Sequence, residues 1–150
     1  MKTFIFTCVC LLSALVASNA GDKDSDLDRL QGVWQVVSLT EKGKAIPAEE
    51  TAILEIVIDK DTFTAREKGE IVVQYQMKLD PEKKPKAVDF THLIGENKGK
   101  TELGIYLVEK DQIKLCVDET RKGRPTIFEG KETEAFSVIV LKRKEVKDAK

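Results

Sequence analysis

One histidine, His92, and three cysteines, of which only Cys116 lies beyond the N-terminal segment, set the limits on the chemistry open to this chain. A structural zinc site wants four nitrogen or sulfur ligands, and two such side chains cannot supply it. The acidic run Asp22-x-Asp24-x-Asp26 starts like a calcium loop. It fails at Leu27, where the loop needs glycine, and at Val33, where it needs a bidentate glutamate. Gly95-Glu96-Asn97-Lys98-Gly99-Lys100-Thr101 resembles a phosphate loop, but three residues separate its glycines where the motif needs four. It also falls between two predicted strands rather than before a helix. The sequence therefore predicts no metal and no cofactor.

Nucleophilic catalysis fares no better. Beyond the N-terminal segment the serines are Ser25, Ser38 and Ser137, none of them in a Gly-x-Ser-x-Gly elbow. Cys116 and His92 could form a thiol pair, yet strand alternation puts Cys116 with Lys114 and Asp118 on an outer face and His92 on an inner one. No catalytic residue is named on this basis. The 26 acidic residues supply many carboxylate pairs, and the sequence does not reveal which are close. Two basic clusters, Lys83, Lys84 and Lys86 and then Arg121, Lys122 and Arg124, would make a cationic rim if they met at one end of the fold. The alternative is two solvated surface loops. A net charge of −1 argues against nucleic acid as a partner.

The N-terminus indicates where these groups would work. Lys2 precedes an apolar run from Phe4 to Ala17, which ends in Ser18-Asn19-Ala20 with small residues at the positions a signal peptidase selects. The run is too short for a membrane span, which needs roughly 20 apolar residues. We read residues 1–20 as a signal peptide and expect an extracytoplasmic, periplasmic or secreted protein with no membrane span after cleavage. Cys8 and Cys10 would leave with the leader, so no intrachain disulfide is available and the fold must rest on its core. Cys116 is then expected to be a buried, inert side chain, with an intermolecular bridge or a reactive thiol as the alternatives. About 130 residues remain, the size of one domain.

The elements that would position any site are strands. Ser25 with Asp28 forms a capping box, predicting one helical turn within the acidic segment 21–29 that carries Leu27 toward Leu30. Beyond Gly32 the apolar period becomes two, and strands are predicted near 33–40, 52–59, 61–67, 70–79, 86–93, 101–109, 112–118, 125–129 and 136–143. A short helix is expected over Ala48 to Thr51. Ile71, Val73, Tyr75, Met77 and Leu79 alternate with polar positions, as in an antiparallel strand covering a core on one side. Val88 and Phe90 place His92 on their apolar face. Short loops imply sequential hairpins, and eight or nine strands in such a meander favour closure into an all-β, antiparallel up-and-down barrel over residues 30–144, with a two-sheet sandwich as the alternative. Residues 145–150 form a charged tail. If Lys110-Asp111 is a two-residue turn, Val108 faces Ile113, Tyr106 faces Leu115 and Gly104 faces Val117, with Tyr106 inward. A three-residue loop would turn Ile105 and Leu107 inward instead.

Gly32-x-Trp34 at the start of the first strand, after a short helical turn and before an antiparallel meander, resembles the lipocalin and calycin pattern. That resemblance implies that Gly32 and Trp34 close one barrel end and that a basic residue after the final strand, here Arg143, packs across the tryptophan. The segments Leu30 to Leu39, Lys78 to Asp89, Asn97 to Tyr106 and Leu141-Lys142-Arg143 together resemble a family of secreted lipocalin-like domains of uncharacterised function common in planctomycete bacteria. No activity or ligand comes with it.

The resulting expectation is a monomeric binding domain, not an enzyme, holding a small apolar or amphipathic ligand among Tyr75, Met77, Phe90, His92 and Tyr106. The alternative is an envelope protein-interaction or inhibitor module acting through loops and outer face. Its motive is the final strand, where Phe136, Val138 and Val140 alternate with Ile139 and Leu141 and suggest burial on both sides.

Overall fold

The structure, a computed structural model, describes residues 25–130 and 135–145. The expected signal peptide and the end of the charged tail lie outside these residues. A helical turn, α1 (Asp26–Leu30), leads into β1 (Gly32–Glu41), β2 (Lys44–Ala45), α2 (Ala48–Thr51), β3 (Leu54–Asp59), β4 (Thr62–Glu67), β5 (Glu70–Asp80), β6 (Ala87–His92), β7 (Thr101–Val108), β8 (Gln112–Asp118) and β9 (Phe136–Arg143). Eight of the strands pair antiparallel in sequence order, and β9 returns to pair with β1. The barrel is closed. The two-residue β2 hangs on the end of β1 as a ninth strand that periodicity could not reveal.

Closure follows from the alternation. Trp34, Ile56, Phe63, Met77, Phe90, Tyr106, Leu115 and Leu141 come from eight different strands and pack into one core. The β7–β8 register is Val108 to Ile113, Tyr106 to Leu115 and Gly104 to Val117. The two-residue alternative of the sequence is therefore the one adopted, and Tyr106 points inward. Gly104 has a local reason to lack a side chain, since a Cβ there would stand 2.9 Å from the Cys116 carbonyl oxygen.

Two bulges change which residues face the interior, because an extra residue on one strand reverses the alternation beyond it. On β1 the pairing steps from Val36 to Ser38, leaving Val37 unpaired and half exposed. Beyond that step Leu39 and Glu41 are turned toward the barrel interior. On β5 the pairing steps past Val72, so Val73 faces Ala65 while Ile71 is paired with Arg66 and exposed. Ile71 thus does not share the inner face of Val73, Tyr75 and Met77 as its period suggests.

The predicted strand at 125–129 is not formed. Pro125 brings no N–H to a ladder, and Arg124 holds the segment instead, donating from its guanidinium to the carbonyls of Val88 and Gly104 at 2.9 and 2.7 Å and to Asp89 at 2.6 Å. Beyond this anchor Phe128 packs over a second cluster, on the outer wall, made by Ile105, Cys116 and Val138 with Phe136. The Lys114 ammonium lies 5.6 Å from the Phe128 ring centroid. This strap explains the doubly apolar β9: Leu141 and Ile139 face inward, and Val138 is covered from outside. Cys116 is fully buried beneath the strap on the outer face of the barrel, whereas the His92 side chain is on the inner face with Tyr75 and Glu102.

The strands alternate in direction, so the connections fall at two ends. The β3–β4, β5–β6 and β7–β8 turns share the end covered by α1, whereas β4–β5, β6–β7 and β8–β9 lie at the other. Lys83, Lys84 and Lys86 therefore lie at the opposite end from Arg121 and Lys122, while Arg124 reaches back along the outer wall to Val88, Asp89 and Gly104. No common cationic rim exists. Lys86 is engaged with Asp26 at 2.6 Å, Lys83 with Asp80 at 3.5 Å and Arg124 as above. Among the described residues no helix is long and apolar enough to cross a membrane.

Candidate functional site

The α1 end is sealed. Ser25 and Asp28 cap the helical turn reciprocally, the Ser25 Oγ accepting from the Asp28 amide at 3.2 Å and the Asp28 carboxylate accepting from the Ser25 amide at 3.1 Å. The turn delivers Leu30 into the barrel, and Trp34, fully buried, donates its indole N–H to the Leu30 carbonyl at 2.9 Å. The Arg143 guanidinium carbon lies 4.1 Å from the Trp34 ring centroid. Its two terminal nitrogens donate to the carbonyls of Gln31 and Arg29, both at 2.9 Å, so one side chain ties the end of β9 to the exit of α1. Gly32 has φ of +121°, and a Cβ on it would lie 3.0 Å from an Arg143 nitrogen. The backbone conformation favours glycine there, and the guanidinium leaves little room for a side chain. Tyr106 completes the seal, donating its hydroxyl at 2.7 Å to Asp26, which also receives Lys86. Burial, followed by the hydrogen bond and charge of Asp26, pushes the Tyr106 phenol well above its ordinary range, so it stays a donor.

The other end is not sealed. A cavity of about 220 Å³ opens there, walled by apolar side chains from β1, β3, β4, β5, β8 and β9 and by Phe63, Tyr75 and Phe90. The three rings form an edge-to-face cluster with centroids 5.4 to 6.1 Å apart. The polar lining comes from Glu41, Glu102, Glu119, Ser137 and the Tyr75 hydroxyl. Exposed Glu41 and Glu119 mark the mouth, and Glu102 is almost wholly buried deeper in the wall.

Glu102 stands on β7 directly opposite Phe90. One of its oxygens lies 2.7 Å from His92 Nε2, and the other takes a long contact of 3.5 Å from the Tyr75 hydroxyl. His92 in turn packs edge-on against Tyr75, with centroids 4.5 Å apart. Burial pushes the Tyr75 phenol upward, and the charges of Glu102 and Glu119 with the Glu102 hydrogen bond add to the shift. Both carboxylates line the same cavity as this hydroxyl. Ser137 Oγ donates to Glu119.

Of the five ligand contacts expected from sequence, Tyr75 and Phe90 line the cavity. Met77 and Tyr106 do not, because they sit lower in the barrel, where Met77 belongs to the packed core and Tyr106 is committed to Asp26. His92 faces inward but stands behind Tyr75 and Glu102, positioning them rather than lining the space. The glutamates were missed. Glu102 was legible, since it shares the alternation of Gly104 and Tyr106, whereas Glu41 enters the cavity only through the bulge at Val37. Among the described residues no group of three or more His, Cys, Asp or Glu side chains is arranged to hold a metal ion. No protein-family model, curated protein or solved structure matches this chain.

Proposed function

We propose that this protein is a binding domain that takes a small apolar or amphipathic molecule into the open half of its barrel, in the manner of the exported lipocalin-like domains its sequence resembles. The observation that carries this reading is the contrast between the two ends. One is plugged by Trp34, Arg143 and α1, and the other leaves about 220 Å³ between aromatic and aliphatic walls. A filled barrel would have packed side chains through both halves. Empty apolar space forfeits dispersion contacts and is stabilised when an apolar guest restores them. Its size suits a guest with one ring or a short chain, somewhat larger than the roughly 150 Å³ engineered cavity that admits benzene. Export, through the leader at residues 1–20, would place the domain where it meets such molecules outside the cytoplasm.

The interaction-module alternative is weakened, because Val138 and Phe136 on the outer side of β9 pack in one cluster with Phe128 of the same chain. The binding reading is tested by mass spectrometry of small molecules released from the protein purified from its native compartment, beside a Val73→Phe variant that fills the cavity. A stoichiometric species carried by the wild type and absent from a folded V73F variant supports it. Equal loading of both proteins, or no species on either, overturns it.

A further inference from the structure

The polar half of the cavity carries charge of one sign. Its lining includes three glutamates, Glu41, Glu102 and Glu119, and among the described residues no lysine or arginine. Lys42 and Lys44 are not part of that lining; they stand around a neighbouring surface hollow that shares Glu41 with the cavity mouth. The hydrogen-bonding capacity is also lopsided. A carboxylate offers about four acceptor sites. Glu102 uses one oxygen on His92 and has only the long Tyr75 contact on the other, and Glu119 has the Ser137 hydroxyl. Tyr75 and Ser137 direct their protons to these carboxylates, so the lining retains spare acceptors and few spare donors. Below them lie Phe63, Tyr75 and Phe90, rings whose faces attract a cation and whose bodies pack against an apolar one.

We propose that the ligand of this cavity is a small organic cation, an alkyl- or arylalkyl-ammonium whose apolar body lies among Phe63, Phe90, Leu115 and Ile139 and whose ammonium is held between Glu102 and Glu119. An ammonium matches the site in three respects. It carries the opposite charge, it brings three donors and no acceptor, and it is compact enough to share about 220 Å³ with one ring or a short chain. An anionic amphiphile such as a fatty acid would set its carboxylate against two others at short range, in a partly dry site where like charges repel strongly. A neutral alcohol would fill the apolar part and gain no charge-assisted bond.

The inference rests on the cavity-binding reading, and one titration separates the two. Phenethylamine, phenylethanol and phenylpropionate present the same apolar body with a cationic, neutral or anionic head. Each is titrated calorimetrically into the full chain, its Glu119→Gln variant and its Glu102→Gln variant. Phenethylammonium is expected to bind about tenfold or more tighter than phenylethanol, phenylpropionate to bind weakest, and E119Q to weaken phenethylammonium far more than phenylethanol and so remove most of the preference. Glu119 is exposed, so E119Q keeps the test valid even where E102Q, which removes a charge beside His92, disturbs the fold. Equal or tighter binding of phenylethanol or phenylpropionate would overturn the cationic ligand and leave the cavity reading standing. Failure of all three to bind would overturn both.

Discussion

The guanidinium of Arg143 lies across the indole of Trp34, 4.1 Å from its centroid, and binds the carbonyls of Arg29 and Gln31 at the same time. Trp34 opens β1 and Arg143 closes β9, so this contact joins the first and last strands at the sealed end. A cation over an indole contributes about 0.5 to 2 kcal/mol, and hydrogen bonds to a charged group about 1.5 to 3 kcal/mol each before losses. Arg143→Ala is expected to cost about 2 to 4 kcal/mol by chemical denaturation. Arg143→Lys should recover less than half, because an ammonium cannot fork to two carbonyls and stack on the ring together. Wild-type stability in R143A would remove this residue from the closure.

Asp118 gives the fold a dependence on acid. Burial alone would push its carboxyl upward, but hydrogen bonds from the Thr120 hydroxyl and from the amides of Gly123, Thr120 and Lys122 outweigh burial and hold it below the ordinary value of 3.8. A carboxyl whose pKa is lower in the folded chain contributes its stability in full above the unfolded value and loses it as pH falls through the folded one. The contribution is therefore present at neutral pH and disappears below 3.8. Asp118→Asn, which cannot accept at both positions, is expected to be less stable by about 1 to 3 kcal/mol at pH 7. The gap should narrow in acid. A gap that is constant from pH 7 to pH 3 would show that the carboxylate is not the organising group of this loop.

Phe128 can be tested through the residue it hides. Cys116 is fully buried under the strap that Arg124 anchors. Phe128→Ala is expected to raise the alkylation rate of Cys116 by about tenfold or more in native conditions, followed by peptide mass spectrometry, as local opening becomes easier. Trp34 fluorescence should stay unchanged. An unaltered Cys116 rate would mean that the strap does not protect this wall.

Much of this architecture is legible in the chain because one face of each strand is buried. The alternation of Leu54, Ile56 and Ile58, of Val88 and Phe90, and the Lys110-Asp111 turn fix register through side-chain direction alone. The capping box of Ser25 and Asp28 likewise depends only on residues three apart. What escaped depends on exceptions to periodicity. The extra residues at Val37 and Val72 reverse the faces of Glu41 and Ile71, and the strap at 124–130 is held by Arg124 to residues far away in sequence. For the site, aromatic alternation found Tyr75 and Phe90, but a candidate set chosen for apolar character passed over Glu102, whose phase placed it inside. Depth also mattered: Met77 lies on the same face as Tyr75 but one pleat nearer the plug, where no space remains.

Whether a guest enters between Glu41 and Glu119 is read most directly from methyl chemical shifts of the protein titrated with phenethylamine. The expected result is saturable shifts at Leu39, Leu54, Ala65, Val73, Val117 and Ile139, which line the cavity, with Val108 and Ile113 at the sealed end unmoved. Shifts confined to the exposed Val37, Ile71 and Leu107, or no saturable shift at any lining methyl, would contradict a binding site inside the barrel.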